Sequence, residues 1–359
     1  MKILHVITSL RTGGAEKLMV DLLPRLRSAG HEVELCVLDG IDTPFKSELL
    51  AKRIRIIELG RSANVYHPKY LWRLYRLLRH GDYDVVHTHN TAPQLFAAIS
   101  SLLCSVVLCT TEHTTSNRRR GWRWYAPIDR WMYSRYRHIV CISDKTKENL
   151  INCIGDGQLK KITTVYNGID ITRYAKARPS EEIPSNRGKF NIIQVAGFRY
   201  QKDQPTLIRA LQLLPENFHV YFAGDGVLRS NCEAIVEELK LGDRVHFMGI
   251  RTDVPELIAA SDVCVVSSHW EGFGLAAVEA MAAIKPVIAT DIPGLREVVN
   301  GAGILFPHEA SETLAHEILM LEESPEHYRA VAAACRRRAD DFDISTMVKG
   351  YNEMYLSLQ

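Results

Sequence analysis

The sequence predicts an α/β protein built from two doubly wound, Rossmann-like domains facing each other across a cleft. Three observations predict it. Short runs rich in β-branched residues alternate with longer amphipathic runs along the whole chain, and those short runs are apolar throughout rather than alternating. Strands of that kind are buried on both faces, as in a parallel sheet covered by helices. The alternation stops at a polar, proline-containing stretch, ARPSEEIPSNRGK (177–189), and then restarts. With 359 residues, each half is long enough to bury its own core.

In the first half, strands are expected at 3–8, 33–38, 54–59, 84–89, 106–111, 138–143 and 162–167, with helical patterns between them, as from Ala15 to Gly30. The stretch from Val85 to Thr111 carries no charge, but its most apolar part, Leu95 to Cys109, is 15 residues long, short of the roughly 20 that span a bilayer. Its texture changes from LFAAISSLL to SVVLCT, so a buried helix followed by a buried strand is expected. Second-half strands are expected at 191–196, 219–224, 244–249, 262–267, 286–290 and 303–306. The expected domains are 1–176 and 190–344, with 177–189 as linker and 345–359 as a C-terminal helix. In doubly wound sheets ligands bind outside the carboxyl ends of the strands.

Composition narrows the function classes. The chain is 46% hydrophobic and 24% charged, with a net charge of +2, which implies a folded globular protein without a global attraction to nucleic acid. Eight cysteines form no C-x-x-C pair and lie mostly in apolar runs, the pattern of reduced, buried thiols in a cytoplasmic protein. The apolar run after Met1 and Lys2 is too short for a signal peptide, so no export is expected.

The most informative segment is WEGFGLAAVEA, from Trp270 to Ala280. It follows the strand-like DVCVVSS and opens a helix-like run, so Gly272, Phe273 and Gly274 sit where a strand turns into a helix, with Leu275 entering the helix. Backbone N–H groups and the positive end of the helix dipole at such a turn suit a phosphate. Glu279, about two turns in, is placed to accept hydrogen bonds from a ribose diol; Glu271, at the mouth, faces the reacting part of a ligand. This E-x7-E arrangement resembles the hallmark of the retaining glycosyltransferases of the GT-B class, family 4 (group 1).

Other motifs follow in the order that resemblance requires. Gly13 and Gly14 stand at the first strand-to-helix turn; the loop lacks the G-x-G-x-x-G of a dinucleotide site, which argues against a nicotinamide or flavin enzyme. The resemblance sets this loop against the diphosphate and acceptor. His87, His89 and His113 end first-domain strands; a hydrogen-bonded structural role is open for each, and the resemblance singles out His113, near the transferred sugar, with His89 second. Asn167, in YNGID, matches a turn near the cleft. Arg199 and Lys202 follow the second domain's first strand, where fixed cations would steady a departing diphosphate. The family commonly has arginine where this chain has Gly197, so Lys202 is the firmer assignment. Gly224, with Gly226, resembles a step beneath the nucleotide, and Glu297, with Gly294, resembles a segment beside the cleft.

H-x-H lacks a third ligand at recognisable spacing, and the D-x-D steps DYD (82–84) and DFD (341–343) lie away from strand carboxyl ends. No metal and no cofactor are therefore expected; the nucleotide sugar is substrate. From Asn117 to His138 seven arginines are interleaved with six aromatics. Arg118, Arg119, Arg120, Trp122, Arg123 and Trp124 are candidates for contact with a membrane surface or lipid diphosphate, against a plain solvated helix face.

The resemblance implies a metal-independent retaining enzyme; the cysteine pattern places it in the cytoplasm, and the arginine and tryptophan segment at the inner face of the plasma membrane, as expectations. It would move a hexose, most simply from a UDP-sugar, to a hydroxyl of a glycan or lipid-linked oligosaccharide. His113, Glu271, Arg199 and Lys202 would be catalytic. Gly13, Gly14, Gly224, Gly272, Phe273, Gly274, Leu275 and Glu279 would hold the donor, and His89, Asn167 and Glu297 would line the cleft. Alternatives are a UDP-sugar epimerase of similar layout and a non-catalytic nucleotide-sugar binding protein.

Overall fold

The computed structural model describes residues 1–11, 13–62, 64–113, 126–184 and 188–358. The chain divides into two compact units, Met1–Gly168 with Ile344–Gln359, and Ile169–Asp343. The break at 168/169 falls before the boundary expected at 176, and the C-terminal segment belongs to the first unit.

The first unit is a seven-stranded parallel sheet of β1 (Lys2–Ser9), β2 (Glu32–Asp39), β3 (Arg55–Glu58), β4 (Val85–His89), β5 (Val107–Glu112), β6 (His138–Cys141) and β7 (Ile162–Thr164), in the order β3-β2-β1-β4-β5-β6-β7. Between the strands run α1 (Gly14–Ser28), α2 (Pro44–Ala51), α3 (Pro68–His80), α4 (Thr91–Ser100), α5 (Ala126–Ser134) and α6 (Asp144–Ile154). The uncharged stretch 85–111 resolves into β4, α4 and the start of β5, as its change of texture predicts. Helix starts follow local chemistry. Thr43 accepts from the Lys46 amide ahead of Pro44, and Ser143 accepts from the Thr146 amide at 3.2 Å, each meeting an otherwise unpaired N–H.

The second unit begins with α7 (Ile171–Ala175) and contains β8 (Phe190–Val195), α8 (Gln204–Gln212), β9 (Phe218–Ala223), α9 (Arg229–Glu238), β10 (Val245–Gly249), α10 (Val254–Ala260), β11 (Val263–Val266), α11 (Leu275–Ala282), β12 (Val287–Thr290), α12 (Leu295–Val299), β13 (Ile304–Phe306), α13 (Ser311–Glu323) and α14 (Pro325–Ala339). Its six strands are parallel, in the order β10-β9-β8-β11-β12-β13. The segment read as linker is tied to this unit over its described part: the Ser180 amide donates to Glu256 O at 3.0 Å, Arg251 holds both carboxylate oxygens of Glu182 at 2.9 and 2.7 Å, and Asn191 donates to Pro184 O.

The chain then returns to the first unit as α15 (Ile344–Leu356). Ile344, Met347, Tyr351, Met354 and Tyr355 of α15 complete one apolar face of the first sheet with residues of β1, β2 and α1, while α3, α4 and α6 cover the other face. No helix among the described residues is long and apolar enough to cross a membrane.

Candidate functional site

Strand order locates the sites before any side chain is considered. In each sheet the order reverses at one point, between β1 and β4 in the first unit and between β8 and β11 in the second. The crevice outside the carboxyl ends of two such strands is where doubly wound sheets bind ligands. The loops there are the Gly13–Gly14 turn and His89–Asn90 in the first unit, and Gly197–Lys202 and Ser267–Gly274 in the second.

In the second unit, Lys202 Nζ and the Glu271 carboxylate form a direct ion pair, and Ser268 Oγ donates to the same carboxylate oxygen at 3.2 Å. Lys202 ends a single turn of 3-10 helix after β8, and Glu271 lies in the turn after β11. The two sequence-predicted residues, 69 positions apart, are thus brought together. Glu271 is buried, so the ammonium offsets a carboxylate that would otherwise be costly to bury. Gly274 caps α11 at φ +89°, and no side chain among the described residues caps the helix. Its first amides and dipole therefore point out of the turn formed by Gly272, Phe273 and Gly274, an anion-binding geometry. Gly294 has φ +92°, and a Cβ there would fall 2.5 Å from Glu271 O. Its role is to let the β12–α12 loop lie directly on the backbone that carries Glu271. Leu295 packs beneath Gly274.

Glu279 is buried on α11 and accepts a hydrogen bond from Tyr174 Oη at 2.7 Å. Tyr174, on α7, is a partner of Glu279 that sequence reading missed; 105 positions separate the two. Gly224, at φ +149°, follows β9, and its amide bonds to Gly249 O. Glu297, on α12, is half-buried. Arg199 stands apart from the ion pair: it lines a cavity of about 500 Å³ with Tyr200, Asp203, Arg209, His269 and Glu309, whose lining residues do not include Lys202, Glu271 or Glu279. Here His269 Nδ1 and His308 Nε2 are 2.6 Å apart, and with Glu309 they form a donor set that sequence reading did not single out. Two ligands of one tetrahedral ion at 2.0–2.1 Å would stand roughly 3.3 Å apart; the pair as placed shares a proton instead.

In the first unit, His5, His87 and His89 stack face to face inside the sheet, fully buried, with ring centroids 4.7 to 5.3 Å apart. His113, just beyond β5, is half-buried, and its Nε2 meets His89 Nδ1 at 2.9 Å. Burial lowers all four: His5 to about 3, His113 to about 4, and His87 and His89 well below the ordinary value. All four are neutral at pH 7. His5 was missed, yet a histidine inside the apolar run ILHVI is a visible signal, because a buried polar group needs a partner. Asn167 is buried, and its Oδ1 has no partner among the described residues. Gly13 is the extended N-cap of α1, which begins at Gly14.

Arg118, Arg119, Arg120, Trp122, Arg123 and Trp124 lie outside the described residues. The D-x-D steps are structural: Asp84 accepts from the Lys2 amide at 2.7 Å, and Asp341 pairs with Arg338 at 2.8 Å. All eight cysteines are free.

Two family models account for nearly the whole chain: Glycosyltransferase Family 4 matches residues 12–173, and Glycosyl transferases group 1 matches residues 176–338. The putative glycosyltransferase EpsD of Bacillus subtilis is 28% identical over 296 residues, 76% of each chain. The Escherichia coli UDP-Gal:alpha-D-GlcNAc-diphosphoundecaprenol alpha-1,3-galactosyltransferase is 23% identical, covering 100% of this chain and 97% of that one. Among solved structures, Anabaena Alr3699/HepE in complex with UDP-glucose superposes with a TM-score of 0.88 at 23% identity, over 99% of this chain and 100% of that chain. Sucrose-phosphate synthase of Thermosynechococcus elongatus superposes with a TM-score of 0.84 at 20% identity, over 100% and 99% of the chains. With two parallel Rossmann-like sheets and both matches in register with them, this chain belongs to the group 1 glycosyltransferases of GT-B fold.

Proposed function

We propose that this glycosyltransferase moves a hexose from a UDP-sugar to a hydroxyl of a glycan or lipid-linked oligosaccharide, with retention of anomeric configuration and without a metal ion, at the cytoplasmic face of the membrane. The observation that carries the reading is the second unit's β11–α11 turn: a helix N-terminus with no side-chain cap among the described residues, a Lys202–Glu271 ion pair at its mouth, and Glu279 just over one turn inside. The helix amides suit the diphosphate, and Lys202 supplies the charge that a metal would otherwise provide as the nucleotide leaves. Glu279, held by Tyr174, accepts the ribose hydroxyls. Glu271 and His113 orient the sugar, as the family resemblance implies, and a donor phosphate oxygen takes the acceptor's proton. The donor choice is supported by relatives whose names specify UDP-sugars.

A thermal-shift panel of UDP-, GDP-, ADP- and TDP-sugars, with and without EDTA, tests it. Stabilisation by UDP-sugars that EDTA leaves unchanged is expected. Stabilisation by another base alone would overturn the donor assignment, and loss of the shift in EDTA would overturn metal independence.

A further inference from the structure

Behind His113 the first unit holds a continuous hydrogen-bond chain that the proposed chemistry does not use. It starts on α15, where Tyr351 Oη lies 3.1 Å from Thr111 Oγ1, which lies 2.8 Å from His87 Nε2. His87 Nδ1 is 2.7 Å from Tyr355 Oη, and Tyr355 Oη is 3.2 Å from His5 Nε2. His5 Nδ1 then meets His89 Nε2 at 3.0 Å, and His89 Nδ1 meets His113 Nε2 at 2.9 Å. Each link before His113 is buried, so water cannot complete an unmet bond.

A neutral imidazole donates from one nitrogen and accepts at the other, so the chain has only two self-consistent directions. Running outward, Tyr351 donates to Thr111, Thr111 to His87, His87 to Tyr355, Tyr355 to His5, His5 to His89, and His89 to His113 Nε2. Every proton then finds an acceptor, and His113 carries its own proton on Nδ1. Running inward, His113 carries its proton on Nε2 and every link reverses. The last one fails: Thr111 Oγ1 is the one hydrogen-bond partner of the Tyr351 hydroxyl among the described residues. With both hydroxyls meeting there, one O–H proton is left without an acceptor in a buried site. An orphaned buried donor is costly whereas a completed chain is not, so the outward direction wins. Burial also keeps both tyrosines protonated and the histidines neutral.

We propose that Tyr355 of the C-terminal helix is a positioning residue that fixes His113 as a neutral Nδ1–H hydrogen-bond donor, by joining the hydroxyl end of the buried chain, Tyr351–Thr111–His87, to His5 and His89. His113 would then present a proton to a ligand oxygen and would not serve as a base through Nδ1. The assignment of His113 to the sugar rests on the proposed function; the direction of the chain does not.

The test is two-bond 15N–1H correlation spectroscopy of the full chain labelled at histidine, at pH 7, with the His113 signals identified by their loss in His113→Gln. Wild type should show protonated Nδ1 and bare Nε2 at His113, in about tenfold excess or more. Tyr355→Phe, which cuts the chain, should let both tautomers appear, whereas Tyr351→Phe should keep the wild-type tautomer, because the Thr111 hydroxyl then ends the chain and has no acceptor but His87 Nε2 among the described residues; circular dichroism confirms the fold. A wild-type proton on Nε2 would overturn the proposal even if neither variant folded, as would an unchanged tautomer in a folded Tyr355→Phe. If the tautomer is as expected but His113→Gln leaves sugar transfer intact, the functional assignment of His113 fails while the chain stands.

Discussion

Each acidic residue of the E-x7-E pair has a partner that gives it a separate task. Glu279 is buried and held by Tyr174, and on the proposed function its carboxylate accepts from the ribose diol. A hydrogen bond to a charged acceptor contributes about 1.5–3 kcal/mol. Glu279→Gln should therefore raise the donor KM about tenfold or more in initial-rate kinetics; an unchanged KM would remove its role in donor binding. The proposed function gives Lys202 two partners in turn. In the free protein it neutralises Glu271, and in the reaction it is assigned to the leaving diphosphate. Loss of such a cation costs about 2.7–4 kcal/mol of transition-state stabilisation, so Lys202→Met should lower kcat by about 10²–10³. A Lys202→Met enzyme with near-normal kcat would restrict Lys202 to holding Glu271 in place.

At the scale of elements, the decisive feature is how closely the turns after β11 and β12 pack. Gly294, at φ +92°, has no room for a side chain above Glu271 O. Gly294→Ala should cost about 1–3 kcal/mol from backbone strain, seen as a fall in Tm of about 2–4 °C per kcal/mol; a Tm within error of wild type would show that the loop can move away. The strands themselves were legible because buried parallel strands are written as apolar runs: all thirteen lie within a few residues of their expected positions. Lys202 and Glu271 were each singled out in the sequence, but their pairing was not, because it depends on the strand order that sets β8 beside β11. Tyr174 and the His269–His308 pair were not, because contacts across long sequence separations leave no local pattern. The placement of 177–184 was misread for a related reason. Its polarity suggests a linker, yet Arg251, 69 positions beyond Glu182, holds it to the second unit, and the nearby Asn191 ties its end to β8.

For the molecule as a whole, the buried histidines make stability depend on pH. His5, His87, His89, His113 and His219 all have pKa values lowered by burial, His113 and His219 to about 4. The unfolded chain binds protons at the ordinary value near 6.5 while the folded chain does not. Their stabilising effect is therefore complete above pH 6.5 and is lost progressively as pH falls from 6.5 towards 4. Chemical denaturation at pH 7.5, 6 and 5 should show a steady decline, each group contributing up to about 1.4 kcal/mol per pH unit, and a flat profile would mean that the histidines are charged or exposed. Because four of the five lie in the first unit, that unit should unfold first on acidification. The central claim is that the β11–α11 turn holds a UDP-sugar for transfer, and the most direct measurement is UDP release from a panel of UDP-hexoses by the purified protein in EDTA. Slow release from one UDP-hexose in wild type, abolished in Lys202→Met and weakened through KM in Glu279→Gln, is the predicted result. No release from any of them, or release that both variants match, would contradict it.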